Sequence, residues 1–550
     1  MPPKRKADAA PAGAKATKGG PTVKGDTVVV LDYGSQYTQL ICRRIRELHV
    51  YSVLLPGDSD MDRIKSESPT VVVLSGGPNS VHLDGAPSVP KEFWAYCKDN
   101  SIPVLGICYG MQLIVHTLGG KVESAAAAEY GRMPINIEAG SSLFAKEKDK
   151  TQNVWMSHGD EAVELPDGFK CVAKSDQGAV VAIENPKDKI YGLQYHPEVR
   201  HTDRGLETIK HFLFDIAKVK ASWSMQNVLD EQIAKVTAQV GPTDHVICAL
   251  SGGVDSCVAA TLVHRALGDR LHCVFVDNGL LRKDERTRVH KTFIEELHLP
   301  VTVVDAVDRT LDKLRGVSDP ETKRKAIGAE FIAVFRDFRD KMTKDLGVTP
   351  KYLVQGTLYP DVIESCPPPG SNMKHSHTIK SHHNVGGLPK DLGFELTEPL
   401  RWLFKDEVRE LGALLNVPRT FLARHPFPGP GLAVRILGDV TANGALEVLR
   451  EVDEIFINHI RDKGLYDEIW QAFAVFLNAR SVGVQGDQRS HAHVVALRAV
   501  CSSDGMTADW YQFEPKFLAE VSSLICNKVR AVNRVVYDIT SKPPGTIEWE

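Results

Sequence analysis

The sequence predicts an α/β chain made of two doubly wound α/β domains and a small α+β domain at its C-terminal end. Three observations carry this prediction. At 550 residues the chain is too long for one hydrophobic core, since domains usually hold roughly 100 to 200 residues. Two successive series of short β-branched runs alternate with amphipathic stretches, the pattern of buried parallel strands and crossover helices. A Pro- and Gly-rich segment, Arg424 to Gly431, then breaks the pattern. Locked φ angles and missing N–H groups suit neither a helix interior nor a ladder strand.

Residues 1–24 carry Lys4, Arg5, Lys6, Lys15, Lys18 and Lys24 against Asp8, a net charge of +5, and read as a disordered basic tail. Lys4-Arg5-Lys6 fits a nuclear address less well than a solubilising end. In the first domain, 25–215, strands are expected at Thr27 to Leu31, Val53 to Leu55, Thr70 to Leu74 and Pro103 to Leu105, with helices such as Tyr37 to Leu48 between them. In the second, 216–424, they are expected at His245 to Leu250, His272 to Val276, Val301 to Asp305 and Tyr352 to Gln355. Phe331, Phe335 and Phe338 recur at helical spacing and read as a buried face. Ser365 to Pro389 has no apolar period and reads as a lid, followed by a helix over Trp402 to Leu415. The third domain, 425–550, mixes helices at Gly444 to His459 and Pro515 to Asn527 with strands at Phe473 to Leu477 and His493 to Ala499.

Composition excludes several classes. Hydrophobic residues at 43% and charged residues at 25% are globular values, which removes disordered, collagen-like and coiled-coil readings for the bulk of the chain. Sixty-six basic against 70 acidic side chains, a formal charge of −4, supply no field for a polyanion, so no nucleic-acid partner is expected. No apolar run approaches the ~18 residues of a membrane helix, and no membrane partner is expected. Ten Cys, none in a Cys-x-x-Cys pair, and an N-terminus without an apolar signal core suggest a reducing, cytoplasmic setting.

Two segments carry chemistry. In Gly106-Ile107-Cys108-Tyr109-Gly110, two Gly let a strand turn abruptly into a helix and lift the thiol above the sheet, as in a nucleophile elbow. Alone, Cys108 would read as a buried small hydrophobe. His196-Pro197-Glu198 follows the apolar strand Ile190 to Tyr195 and supplies a base and a carboxylate to orient it. Leu74-Ser75-Gly76-Gly77-Pro78 offers unobstructed amides for an oxyanion. These residues resemble the class I glutamine amidotransferases. The resemblance implies a Cys108, His196 and Glu198 triad that hydrolyses glutamine through a thioester, backbone donors at Gly77 and Tyr109, and Gln112 in the glutamine pocket.

The second segment, Ser251-Gly252-Gly253-Val254-Asp255-Ser256, lies between a strand and a helix, where exposed amides at a helix N-terminus cradle phosphate oxygens. It lacks the spacing and the Lys of the Gly-x-x-x-x-Gly-Lys loop. An acid among phosphate donors makes sense if Mg²⁺ accompanies the nucleotide. The segment resembles the pyrophosphate loop of the ATP pyrophosphatase superfamily. That resemblance places Asp277, Gln355, Gly356 and Lys380 beside ATP and gives Asp255 and Asp361 to the metal.

The order of segments from residue 27 to the end resembles the glutamine-hydrolysing GMP synthetase family, in which an amidotransferase is fused to an ATP pyrophosphatase. Its carriers include Ser157-His158-Gly159-Asp160, Phe404-Lys405-Asp406-Glu407-Val408-Arg409, Arg424 to Gly431, and Lys542 to Glu550. The resemblance implies a ligase that aminates XMP to GMP with ammonia from glutamine through an adenyl-XMP intermediate, releasing AMP, pyrophosphate and glutamate. It also implies an XMP site lined by Arg424, Arg435, Gln471, Lys542, Ile547 and Glu548, and a homodimer paired through the C-terminal domain. Ala125 to Ala128 and Leu477-Asn478-Ala479 depart from the family pattern. His375, His377, His382 and His383 are too loosely spaced, with no Cys nearby, to predict zinc, and Trp155 and Trp402 read as core fillers. The competing functions are an NAD-forming synthetase and a catalytically silent RNA-binding scaffold, the latter favoured only by the basic tail.

Overall fold

The computed structural model describes residues 25–83, 85–147, 149–364, 394–485, 487–502 and 507–550. The basic tail and the expected lid, with Lys380, His375, His377, His382 and His383, lie outside the described residues. The chain divides into two compact units, one running to Glu231 and the other from Gln232 onward. Among the described residues no helix is long and apolar enough to cross a membrane.

The first unit is built on nine strands: β1 (Thr27–Asp32), β2 (Tyr51–Pro56), β3 (Val71–Leu74), β4 (Val104–Ile107), β5 (Lys121–Ile137), β6 (Thr151–Glu164), β7 (Lys170–Ser175), β8 (Val180–Asn185) and β9 (Ile190–Leu193). Their order is β2-β1-β3-β4-β9-β8-β7-β5-β6. The expected apolar runs form the parallel part, β1 to β4 with β9, where helices cover both faces and continuous apolar strands are buried. Strands β5 to β8 are antiparallel and have no counterpart in the sequence prediction. The reason is visible in β6, whose inward positions are Gln152, Val154, Met156, His158, Asp160 and Ala162. Half of them are polar, so burial alternates while hydropathy does not. Ala125 to Ala128 falls in a bulge of β5, between the pairs Ser124↔Asp160 and Glu129↔His158.

The second unit contains a five-stranded parallel sheet: β10 (Val246–Leu250), β11 (Leu271–Asp277), β12 (Val301–Asp305), β13 (Tyr352–Val354) and β14 (Glu395–Thr397). Its order is β12-β11-β10-β13-β14. The direction of winding reverses between β10 and β13, the crevice where open α/β sheets bind ligands. Helix Pro320–Leu346 is capped by Asp319, which accepts from the Thr322 N–H, and opens with Pro at its first turn. Its Phe331, Phe335 and Phe338 are half-buried and pack on a cluster that includes Val276, Val334 and Leu353. The helix expected from Trp402 begins at Lys405, because Glu407 caps the Phe404 N–H at 2.8 Å. Trp402 and Trp155 are half-buried rather than interior. Trp402 lies 5.7 Å from the Tyr359 ring and Trp155 4.7 Å from His201, covering the ends of elements rather than filling between them.

A four-stranded sheet completes this unit: β15 (Gln471–Gln485), β16 (Gln488–Cys501), β17 (Asp509–Trp510) and β18 (Val532–Tyr537). β16 pairs antiparallel with β15 and β17 and parallel with β18. Helices Ala445–Asp462 and Pro515–Lys528 pack on it through Val452, Phe456, Val521 and Ile525. Leu280, Leu314 and Ile327, from before residue 424, belong to the same apolar cluster. Leu477-Asn478-Ala479 lies in a β-bulge, with Asn478 at φ 49.

Arg498, with no exposed surface, holds the end of the chain by donating to the carbonyls of Ile547 (2.8 Å), Thr546 (2.8 Å) and Thr540 (3.0 Å), and it pairs with Asp538 at 2.8 Å. Arg498→Met leaves the buried Ile547 carbonyl and the largely buried Asp538 carboxylate without their guanidinium partner. It should lower unfolding free energy by about 3 kcal/mol or more, measured from the denaturant midpoint at constant slope.

Candidate functional site

The strand β4 passes into helix Tyr109–Thr117 within one residue, Cys108, whose backbone sits at φ 53 and ψ −108. The neighbouring glycines are required sterically. A Cβ on Gly106 would fall 2.5 Å from the Gly110 carbonyl, and one on Gly110 would fall 2.2 Å from that of Leu74. The Cys108 N–H donates to Leu193 O at 2.7 Å, tying the elbow to the end of β9.

Three residues beyond β9, His196 Nδ1 meets Glu198 Oε1 at 2.7 Å, both side chains almost fully buried. Burial by itself disfavours the imidazolium, yet the Glu198 carboxylate and the Cys108 thiol together hold the His196 pKa well above its ordinary value. The buried carboxylate thus favours the protonated ring once His196 has accepted a proton. A Cβ on Gly76 would lie 3.0 Å from His196 Cε1, and one on Gly77 2.5 Å from Tyr33 O, so the glycine turn after β3 closes against the imidazole. Tyr109 opens the helix, where N–H groups lack intrahelical partners; its hydroxyl donates to Pro87 O at 2.6 Å.

The structure adds Gln194, fully buried, which sequence reasoning missed. Its Nε2 lies 3.8 Å from Cys108 Sγ, and its Oε1 accepts from Gln112 Nε2 at 3.4 Å. The available signal was its place on the strand end, two residues before His196. Gln112 also donates to Asp160 O at 3.1 Å, so its amide is held within the wall of the site.

In the second unit, Gly252 at φ +74 lets the chain leave β10 and turn into helix Val254–Leu267. Ser251 Oγ and Ser256 Oγ approach to 3.1 Å across the loop, and Ser251 Oγ accepts from the Gly253 N–H at 3.3 Å. A Cβ on Gly356, beyond β13, would lie 3.1 Å from the Asp255 backbone, which brings the two strand ends together. Asp255 pairs with Lys405 at 2.6 Å. Gln355 Oε1 is buried with no hydrogen-bond partner among the described residues, an open acceptor beside the loop. Asp277 accepts from the Gly279 N–H (3.1 Å) and Asp361 from that of Leu358 (2.9 Å). Among the described residues no three His, Cys, Asp or Glu side chains converge as a metal site.

The residues expected to line an XMP site are drawn together in part. Arg435, with no exposed side-chain surface, grips Glu548 through two bonds of 3.0 and 2.8 Å, and Gln471 donates to the same carboxylate at 2.7 Å. Its guanidinium lies 4.2 Å from the Phe473 ring centroid. Arg435 thus faces Glu548 in this structure, not an open phosphate position. Arg424 donates to Gly252 O at 3.0 Å and pairs with buried Glu285 at 2.6 Å, which attaches it to the loop after β10. Ile547 is buried beside Phe473 and Val475, and Lys542 pairs through its backbone with Ala508.

A thiol-imidazole-carboxylate row on one sheet and an anion-cradling loop on another define a glutamine amidotransferase joined to a nucleotide-activating ATP pyrophosphatase. Comparison with known proteins agrees: residues 29–216 match the family described as glutamine amidotransferase class-I, residues 224–331 NAD synthase, and residues 458–549 the GMP synthase C terminal domain. The chain is 52% identical to the GMP synthase (glutamine-hydrolyzing) of Carboxydothermus hydrogenoformans, over 95% of this chain and 99% of that one. The enzymes of the same name from Clostridium tetani and Brachyspira hyodysenteriae are each 51% identical over 96% of this chain, covering 100% and 99% of theirs. The chain belongs to the glutamine-hydrolysing GMP synthase family.

His425, next to Arg424, stacks on the Tyr466 ring at 3.8 Å, donates from Nε2 to Tyr466 O and accepts at Nδ1 from the Ala472 N–H. Burial, with Arg282 and Arg461 nearby, pushes its pKa down to about 4 from 6.5. The folded chain binds this proton more weakly than the unfolded chain. The contribution is therefore complete above the unfolded value and is lost as pH falls from about 6.5 towards 4, on the order of 3 kcal/mol across the window. Unfolding free energy measured across that range should fall less steeply in His425→Gln.

Proposed function

We propose that residues 25–215 hydrolyse glutamine at Cys108, that residues 216–424 activate XMP with ATP, and that residues 425–550 complete the XMP site. The observation that carries the first part is the elbow that sets Cys108 beside the His196–Glu198 pair. His196 takes the thiol proton while Sγ bonds to the amide carbon; returning that proton to nitrogen releases ammonia and leaves a thioester. Water then frees glutamate and Cys108. Backbone N–H groups of Gly77 and Tyr109 receive the oxyanion of each tetrahedral state.

In the second reaction the xanthine C2 oxygen attacks the α-phosphorus of ATP and pyrophosphate leaves. Ammonia then displaces AMP from C2, giving GMP. The loop Ser251 to Ser256 holds pyrophosphate oxygens by its amides and hydroxyls, with Asp277, Gln355, Gly356 and Lys380 bordering the nucleotide. Mg²⁺ fits this donor set as a shared ligand, since it is usually held by one or two carboxylates and the substrate's own phosphates. Asp255 and Asp361 would hold it, and when bound it neutralises phosphate charge. Arg424, Gln471, Lys542, Ile547 and Glu548 line the XMP site, with buried Arg435 contributing by holding the Glu548 carboxylate. Exposed Val482 and Val484 on the β15–β16 hairpin support a homodimer formed through this part.

The match of residues 224–331 to NAD synthase favours a second reading, amination of a deamidated dinucleotide. Release of AMP and pyrophosphate that depends on XMP supports the first reading; equal turnover with deamido-NAD would replace it. The two sites stand on separate sheets, so Cys108→Ala should abolish glutamine-dependent synthesis yet keep synthesis from ammonium salt within about two-fold. Asp255→Asn should lower synthesis from either nitrogen source by about 100-fold or more. Steady-state rates with glutamine and with ammonium chloride check both.

A further inference from the structure

Beside the triad lies a second carboxylate–imidazole pair that the reaction does not use. Glu129 and His158 are cross-strand partners on β5 and β6. Glu129 Oε2 lies 3.2 Å from His158 Nε2, and each side chain is 2% exposed. The other ring nitrogen, Nδ1, faces Asp160 O at 3.1 Å. A carbonyl only accepts, so Nδ1 donates there, and one further proton is shared between Nε2 and Glu129. Two acceptors around one ring fix its orientation on both sides.

The pair connects to the thiol by two routes. His158 adjoins Ser157, whose carbonyl receives the Cys108 thiol at 3.6 Å. The Asp160 carbonyl that accepts from His158 also accepts from Gln112 Nε2 at 3.1 Å. Gln112 in turn donates to Gln194 Oε1 at 3.4 Å, which aims Gln194 Nε2 at Cys108 Sγ, 3.8 Å away. Both routes run through one short stretch of β6, Ser157 to Asp160, whose inward side chain His158 is locked by Glu129. Both ring nitrogens of His158 are engaged, so rotating the ring would break a bond on each side; Glu129 Oε1 is buried without a hydrogen-bond partner among the described residues, so Oε2 alone makes the contact.

We propose that Glu129 and His158 are positioning residues for the thiol, acting through the Ser157 and Asp160 carbonyls and the Gln112–Gln194 relay. The proposal rests on Cys108 being the nucleophile. Geometry, not charge, is what the pair supplies. An amide at position 129 can donate to His158 Nε2 while Nδ1 still donates to Asp160, so Glu129→Gln preserves the lock; Glu129→Leu removes it.

The test uses the full chain with XMP and ATP, comparing glutaminase kcat and glutamine KM with the second-order rate of Cys108 alkylation by iodoacetamide. Glu129→Leu should lower kcat about 10-fold or more with KM within about three-fold, and change the alkylation rate about five-fold or more. Synthesis from ammonium chloride should stay within about two-fold, and Glu129→Gln should recover kcat to within about three-fold of the parent. Should Glu129→Leu fail to fold, His158→Gln and Gln194→Met carry the same readouts, each with the drop in kcat and the altered alkylation. The proposal fails if these variants leave kcat and alkylation within about two-fold of the parent, or if Glu129→Gln is as impaired as Glu129→Leu. Glutamine hydrolysis surviving in Cys108→Ala would instead remove the reading on which it stands.

Discussion

The close passage of Gly110 over the Leu74 carbonyl is the constraint on which the first unit depends. With 2.2 Å between that oxygen and the place a Cβ would occupy, helix Tyr109–Thr117 lies against β3 only because residue 110 has no side chain. This approach permits a strand to become a helix across Cys108 alone, at φ 53. The thiol is thereby lifted over the sheet at the level where β9 delivers His196, and the glycine turn after β3 reaches the same place. Three strand ends thus meet around one sulfur, and none of the three could be moved without reopening the elbow.

The same logic governs the second unit with different chemistry. Gly252 at φ +74 and the approach of Gly356 to the Asp255 backbone bring β10 and β13 together where the sheet changes its direction of winding. Anion-binding amides collect there because a helix starts directly at the turn. Asp255 meets Lys405, and Arg424 joins Gly252 to Glu285, so the loop is set among charged groups of alternating sign. Arg435, Arg498 and Lys323 are all fully buried and all engage the final residues: Glu548, the carbonyls of Thr546 and Ile547, and Glu550. Burying a cation is tolerated only where acceptors surround it, so the final residues, themselves mostly half-buried or exposed, serve as the acceptors for three interior cations.

Features legible in the sequence are those whose physics is local. The parallel strands announce themselves as apolar runs because both faces are covered. The turns after β4 and β10 are each contained within about six residues, whose glycines mark a strand passing abruptly into a helix, although the thiol acquired its reading only together with His196 and Glu198. Strands β5 to β8 escaped because buried Gln152, His158 and Asp160 interrupt the hydropathy alternation of β6. Gln194 escaped because nothing in a single glutamine marks it as the group beside a sulfur. Trp155 and Trp402 were assigned to the interior by size, although large aromatic rings also cover the margins of elements.

The order of residues by itself determined the α/β class and the two glycine-bearing turns that follow β4 and β10. Each follows from short-range sterics and hydrogen-bonding capacity. Which charges find each other was decided only on folding. Lys405 and Asp255 are 150 positions apart, Arg435 and Glu548 are 113, and Gln112 and Gln194 are 82. A chain carries no information about such pairs until strand order brings them within bonding distance, because electrostatic and hydrogen-bond energies depend on separation in space and not along the backbone.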